Sequence, residues 1–254
     1  MVSASNLLLI ALGALTSASP LAPRVTCQKG VYIISARGTG DYTYNGEGQT
    51  GQVADMIEAK ISGSRTVAVE YQASAFYNAS LIEGVTDAKK KIIEYVDSCG
   101  SGSKIVLLGF SQGGNVMSNV LAGGVNTYQP ALPNKYTRNS KFATPFSSSQ
   151  AKRCLTQRPV LAAAAFGDPS FTKNQSFDRG SSTKSGVFDR SENATSLARL
   201  QTFASIFRSY CDEGDQFCST DGGFGPISDV HGKEVPNHAV EATNFIVGRY
   251  NKST

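Results

Sequence analysis

The chain has 254 residues and a formal net charge of +4, enough for one α/β domain whose core needs no metal or crosslink to hold it. So slight a positive excess excludes a nucleic-acid binder, because no stripe of Lys and Arg interleaved with aromatics accompanies it. The one basic run, Lys89-Lys90-Lys91, reads as the solvated face of a helix.

In chain order, residues 7–15 form a short apolar block followed by Thr16-Ser-Ala-Ser-Pro20. Small residues there suit a cleavage site, the layout of a secretory signal peptide. The absence of Lys and Arg from residues 1–6 departs from that layout and leaves a retained anchor as the alternative. No later stretch reaches the roughly 18 apolar residues of a membrane span. The expected division is a signal segment over 1–19, a mature start at 20–25, and a single domain over 25–254. Export permits cystines, and there are five cysteines. Cys211 and Cys218 bracket a short Asp/Gly-rich loop, Cys27 precedes the first strand and Cys99 ends a helix, so each pair fits a cystine and Cys154 is left over. Asn78, Asn174, Asn193 and Asn251 stand in glycosylation sequons, which matter only on an exported chain.

Hydrophobic patterning gives strands at 31–36 and 66–69, with a helix at 52–61 between them. The next helix carries Leu81, Ile82, Val85, Ala88, Ile92 and Val96 on one face. A buried strand follows at 105–108, another at 160–166, and a last helix at 236–250. Alternating strands and helices mean an α/β sandwich with a mostly parallel central sheet, and ligands bind beyond the carboxyl ends of its strands. Two polar segments, 126–158 and 173–193, read as surface excursions, either a rim over the site or tolerated insertions.

The strand at 105–108 runs into Gly109-Phe-Ser111-Gln-Gly113. This G-x-S-x-G lies between a strand and a helix marked by Val116, Met117 and Val120, the setting of a nucleophile elbow. The helix that starts after Ser111 aims its positive end at the serine, and that end favours anions. A second glycine pattern, Gly46-Glu-Gly48-Gln-Thr-Gly51 with Glu70 downstream, spells a dinucleotide fingerprint. It stands about ten residues beyond its strand and reads as a loop.

A serine nucleophile needs a base, and the chain has two histidines. His231 and His238 both follow every expected strand, where the order Ser, acid, His puts the base. His231 lies in a loop free to reach the elbow, whereas His238 falls inside the last helix as a partly exposed surface residue. For the orienting acid, Asp215 inside the 211–218 loop is preferred, since a local cystine would hold it rigid. Asp168, directly after a strand, is the runner-up, and Asp212, Asp221 and Asp229 read as surface carboxylates. No metal is implied, because neither His-Glu-x-x-His nor Cys-x-x-Cys occurs. No cofactor is expected.

Gly109-Phe-Ser-Gln-Gly-Gly114, Ser35-Ala-Arg-Gly-Thr39, Phe166-Gly-Asp-Pro169 and Tyr210-Cys-Asp-Glu-Gly-Asp-Gln-Phe-Cys218 resemble the blocks of the cutinase and acetylxylan esterase family, in that family's order. The likeness runs from about residue 27 to 250 and implies an α/β-hydrolase-like fold. It also implies a triad of Ser111, Asp215 and His231, an oxyanion hole of Thr39 with the backbone N–H of Gln112, and the pairs Cys27–Cys99 and Cys211–Cys218. Departures are the long 126–158 segment, the unpaired Cys154 and a wider gap between Asp215 and His231. Gly167-Asp-Pro-Ser-Phe171 and Val230-His-Gly, leading into Ala242, Phe245 and Val247, resemble the acetylxylan esterase branch more than the cutinases. The implied activity is a secreted, monomeric serine esterase acting on acetyl or short acyl esters of plant cell-wall polysaccharide. A cutinase for longer acyl chains is the alternative, and a catalytically inactive secreted binding protein on the same fold is the alternative of another class.

Overall fold

The computed structural model describes residues 25–125, 127–137, 158–222, 224 and 228–253. The expected signal segment, Cys154 and most of the 126–158 segment lie outside them. Strand β1 (Tyr32–Ala36) is buried throughout and alternates its side chains between two cores. Tyr32, Ile34 and Ala36 enter one, while Ile33 enters the other together with Val31, which precedes the strand, as the two-residue period of a strand dictates. It pairs in parallel with β2 (Arg65–Ala68) on one side and β3 (Ile105–Phe110) on the other. Beyond β3 come β4 (Val160–Phe166), then β6 (Phe207–Tyr210) and β5 (Asp178–Arg179) at the edge, all parallel, in the order β2-β1-β3-β4-β6-β5.

Helices cover both faces. On one, α1 (Gly51–Lys60) packs against the last helix, α6 (Glu234–Asn251). On the other lie α2 (Tyr77–Cys99), α3 (Gln112–Ala122) and α5 (Ala194–Gln201). The short α4 (Asn134–Thr137) lies against α2. The alanines of β4 let α3 and α6 approach the middle of the sheet, and Ala162 to Ala165 are completely buried. The chain leaves β1 toward β2 on one side and returns to β3 on the other. This reversal of strand order opens a crevice at the carboxyl ends of β1 and β3.

Two features differ from the sequence reading. Residues 173–193 are not a detached excursion: they contain β5, and Arg190 within them is completely buried. Its guanidinium donates to Ser118 Oγ and Asn119 Oδ1 at 2.7 Å, to Ser196 Oγ at 2.7 Å, to Gly123 O at 3.0 Å and to Ser170 Oγ at 3.1 Å, which ties the segment to α3. Strand β6, with Arg208 and Ser209 interrupting its apolar residues, was not anticipated. Leu132 and Tyr136, within the other polar segment, are buried against α2 and α3. Two cystines are formed. Cys27–Cys99 joins the chain before β1 to the end of α2, and Cys211–Cys218 closes the loop after β6. Among the described residues no helix is long and apolar enough to cross a membrane.

Candidate active site

The site is built at the reversal point. Ser111 sits between β3 and α3 with φ 55° and ψ −120°, a conformation that costs a non-glycine residue roughly 1–3 kcal/mol and lasts only where the surroundings impose it. The surroundings here are explicit. Ser111 N–H donates to Phe166 O at 2.8 Å, fixing the turn to β4. A Cβ on Gly109 would lie 2.1 Å from Gly113 O, and one on Gly113 would lie 2.0 Å from Ala36 O. Only glycines allow this crossing of strand and helix.

His231 opens a 3₁₀ turn (His231–Lys233) just before α6. Its Nε2 is 2.8 Å from Ser111 Oγ and its Nδ1 is 2.7 Å from Asp215 Oδ2. The imidazole is held between Phe110, 4.9 Å away centroid to centroid, and the edge-on ring of Phe217 at 4.5 Å. Gly167, with φ 58°, leaves room behind it, since a Cβ there would lie 2.9 Å from His231 Cε1. Asp215 is fully buried. Its Oδ1 accepts the N–H of Phe217 at 2.7 Å and of Cys218 at 3.0 Å. Burial raises its pKa, but the hydrogen bond and charge of His231 and these two N–H groups outweigh that and hold the carboxyl below its ordinary value. These contacts favour its ionised form.

Asp168 is also buried, but its Oδ1 accepts from the N–H and hydroxyl of Ser170, both at 2.8 Å, and it serves the turn after β4. His238 is not an idle surface residue. It stacks on Tyr210 at 4.9 Å and bonds Asp212 Oδ2 at 3.0 Å. Asp212 is likewise engaged, holding Ser181 N–H and Oγ through Oδ1. Asp212, Glu234 and His238 bring their ligand atoms within 4.8 Å of one another, a grouping that could hold a metal ion. Among the described residues it lies beside the Ser111–His231 axis and not on it.

Thr39 is exposed just beyond β1 and lines the cleft with Ser111. Arg37 fixes its loop by donating to Tyr71 O and to Gln72 O at 3.2 Å. Gln112, at the start of α3, has a buried side chain that accepts from Ser80 Oγ at 3.1 Å and donates to Ser74 O at 3.3 Å. Its backbone N–H belongs to the first turn of the helix, whose donors lack intrahelical partners. The cleft encloses about 440 Å³, within the range of roughly 300–1,000 Å³ of small-molecule sites. Ser111 and His231 form its polar floor; Phe110, Val187, Phe188, Phe217 and Phe224 make the walls apolar.

Of the expected sequons, Asn78, Asn174 and Asn251 are on the surface. Asn193 instead caps α5, accepting from Ser196 N–H at 3.0 Å and donating to Gly124 O at 3.3 Å. The Gly46–Gly51 pattern forms 3₁₀ turns leading into α1, and Glu70 pairs with Lys91 at 3.4 Å. The sequence reading missed Gly167 as a packing requirement of His231, the wall made by Val187 and Phe188, and Glu234, completely buried at the start of α6. A glycine directly after a buried strand was the available signal for the first. Nothing in the sequence pattern marks the other two.

A family model described as Cutinase matches residues 26–250. Acetylxylan esterase 2 of Talaromyces purpureogenus is 29% identical over 196 residues, 74% of each chain. Cutinase 11 of Verticillium dahliae is 26% identical over 224 residues, 85% of this chain and 68% of that one. Among solved structures, the catalytic core domain of acetyl xylan esterase from Trichoderma reesei superposes with a TM-score of 0.67 at 23% identity, over 88% of this chain and all of that one, a likeness of fold.

Proposed function

This chain belongs to the cutinase family and is a carboxylic ester hydrolase; from that premise we propose that Ser111, His231 and Asp215 are its catalytic triad. The observation that carries the reading is the unbroken chain of contacts from Ser111 Oγ through His231 to Asp215, at 2.8 and 2.7 Å, opening into the apolar cleft. His231 Nε2 takes the proton of Ser111 as Oγ attacks the ester carbonyl. Asp215 fixes the tautomer, keeping the proton on Nδ1 and the lone pair on Nε2. The oxyanion is received by Thr39 and the backbone N–H of Gln112, a preorganised arrangement worth roughly 3–4 kcal/mol per donor. His231 then protonates the departing alcohol, and water, activated by the same histidine, releases the acyl group.

For the substrate we retain acetyl or short acyl esters of plant cell-wall polysaccharide, supported by the acetylxylan esterase relative. A second reading has an observation of its own. The cleft is larger than an acetyl group fills and its walls are aromatic and aliphatic, which suits a longer acyl chain of the cutin type. Secretion is supported by the two cystines, one of them spanning 72 residues, since such bonds persist in oxidising compartments. The chain acts as a monomer in this reading.

The test is a chain-length series of p-nitrophenyl esters run beside acetylated xylan, with fluorophosphonate labelling of the same protein. Deacetylation of xylan and a maximum at the shortest esters support the first reading, and a maximum at longer chains supports the second. A folded protein that neither hydrolyses nor labels at Ser111 refutes the esterase mechanism in favour of an inactive binding protein.

A further inference from the structure

Beside the cleft, three side chains that no step above uses bring their ligating atoms together. Glu234 and His238 stand one turn apart on one face of α6, and Asp212 meets them from the loop after β6. His238 Nε2 is 3.0 Å from Asp212 Oδ2 and 3.9 Å from Glu234 Oε2. Ligands about 2.0–2.2 Å from a tetrahedral ion lie roughly 3.3–3.6 Å from one another, and the two separations bracket that span. Glu234 Oε2 is the atom that needs an account. Its residue is completely buried, among the described residues nothing hydrogen-bonds it, and the imidazole at 3.9 Å is too distant to do so. Buried carboxylates are paired or hold metals. The oxygens on the far side are already fixed. Glu234 Oε1 accepts the N–H of Asp212 at 2.7 Å, and Asp212 Oδ1 accepts the N–H and hydroxyl of Ser181 at 3.0 and 3.1 Å. The ring of His238 is held by stacking on Tyr210. Outer contacts of this kind orient the ligands of a metal site.

We propose that Asp212 Oδ2, Glu234 Oε2 and His238 Nε2 bind a zinc ion, with water in its fourth position. Two carboxylates and one imidazole are a zinc donor set, whereas calcium gathers roughly 6–8 oxygen ligands. Asp212 Oδ2 also accepts from Asn237 Nδ2 at 3.4 Å, which leaves it a lone pair for the ion. Cys211 and Cys218 lie near Glu234 as well, but their sulfurs are bonded to each other and offer no thiolate. The side chains of His238 and Asp212 keep 14% and 18% of their surface exposed, an entry path to the buried oxygen. The His-Glu-x-x-His and Cys-x-x-Cys patterns do not mark this site, because one ligand comes from a distant loop and the helical pair is Glu-x-x-x-His. The bound ion ties the Cys211–Cys218 loop to the first turn of α6. It braces the two segments that carry Asp215 and His231, three residues from Asp212 and from Glu234; only this consequence rests on the triad reading.

In the experiment, the intact native protein is stripped with a chelator, desalted and loaded stepwise with zinc chloride, and binding is followed by calorimetry and by thermal unfolding. The expected result is one zinc per chain and a Tm higher by roughly 5–11 °C at zinc ~100-fold above Kd, with no such rise in calcium chloride. X-ray absorption at the zinc edge should show imidazole and oxygen ligands at about 2.0–2.2 Å and no sulfur at ~2.3 Å. His238→Gln and Asp212→Asn should each weaken binding at least roughly tenfold, while His231→Gln, which alters the neighbouring imidazole, should leave it unchanged. A native protein that takes up no zinc, or gains no stability from it, overturns the proposal and leaves Asp212 and His238 a plain ion pair. Sulfur ligation, an equal response to calcium, binding that survives both cluster substitutions, or binding lost in His231→Gln overturns it as well. If the cluster variants fail to fold, the zinc-edge spectrum of the native protein decides. No readout here is ester hydrolysis, so a protein that binds zinc as described yet neither hydrolyses esters nor labels at Ser111 refutes the triad alone.

Discussion

Replacing Gly167 with alanine tests whether His231 is held by shape, since the atoms nearest the added methyl belong to His231 and Asp215. A Cβ at this position lies 2.9 Å from His231 Cε1, 3.0 Å from His231 Nδ1 and 3.3 Å from Asp215 Oδ2. Carbon contacts settle at roughly 3.5–4.0 Å, so the imidazole has to retreat by at least about half an ångström. The rings of Phe110 and Phe217 confine it on two sides. A displacement of ~1 Å costs a reaction about 10²-fold, and half of that still costs roughly tenfold, or ~1.4 kcal/mol of barrier. The backbone adds its own term: φ at this residue is 58°, where a side chain costs about 1–2 kcal/mol. In a chain of this size that lowers Tm by roughly 2–8 °C. The expected outcome is a tenfold to hundredfold fall in kcat/KM on p-nitrophenyl acetate, with an unchanged circular dichroism spectrum at 25 °C. Native kcat/KM in a folded Gly167→Ala protein would show that the Ser111–His231–Asp215 geometry does not govern the rate.

Ser111→Ala should abolish hydrolysis and fluorophosphonate labelling without unfolding the protein, because the hydroxyl faces the cleft; residual turnover by a purified variant would contradict the elbow assignment. His231→Gln should lose at least ~10²- to 10⁴-fold in kcat/KM. His238→Gln should cost about 1 kcal/mol of stability and only a few-fold in rate, because His238 bonds Asp212 and not Ser111. Arg190→Ala leaves three hydroxyls, an amide and a carbonyl without their buried donor and should destabilise by roughly 3–5 kcal/mol, read as a lowered urea midpoint; an unchanged midpoint would mean that water replaces the guanidinium. Mild reduction should open Cys27–Cys99 before Cys211–Cys218, since Cys27 is exposed and the second pair is buried. The double variant Cys211→Ala with Cys218→Ala should lose activity while the sheet persists, measured by near- and far-ultraviolet circular dichroism.

The elbow was legible because its requirements are local. An unbroken apolar strand, two glycines that backbone atoms press against and a helix immediately afterwards all lie within one short stretch of chain. The same holds for β1, β4 and α2, whose periodicities are strong. Glu234 and Arg190 were not legible, since charged residues normally face water and only distant elements bury these two. Arg190 is enclosed by α3 and α5, Glu234 by the loop after β6. His238 looked peripheral for the same reason: its partner Asp212 is 26 positions away and the pairing is made only once α6 docks. The strands β5 and β6 are short and carry polar residues, so their membership in the sheet is decided by their neighbours and not by their own pattern.

The separation of 120 residues between Ser111 and His231 gives the site a place in time. A nascent chain lengthening at about 5–20 residues per second completes β3 and its serine long before His231 is made. His231 reaches the serine through a turn leading into α6, whose footing is α1 and β4, elements made much earlier. Under the proposed triad, Ser111 is therefore present but unarmed through nearly half of synthesis. A chain ending between Ser111 and His231 carries the serine without its partner and should hydrolyse nothing.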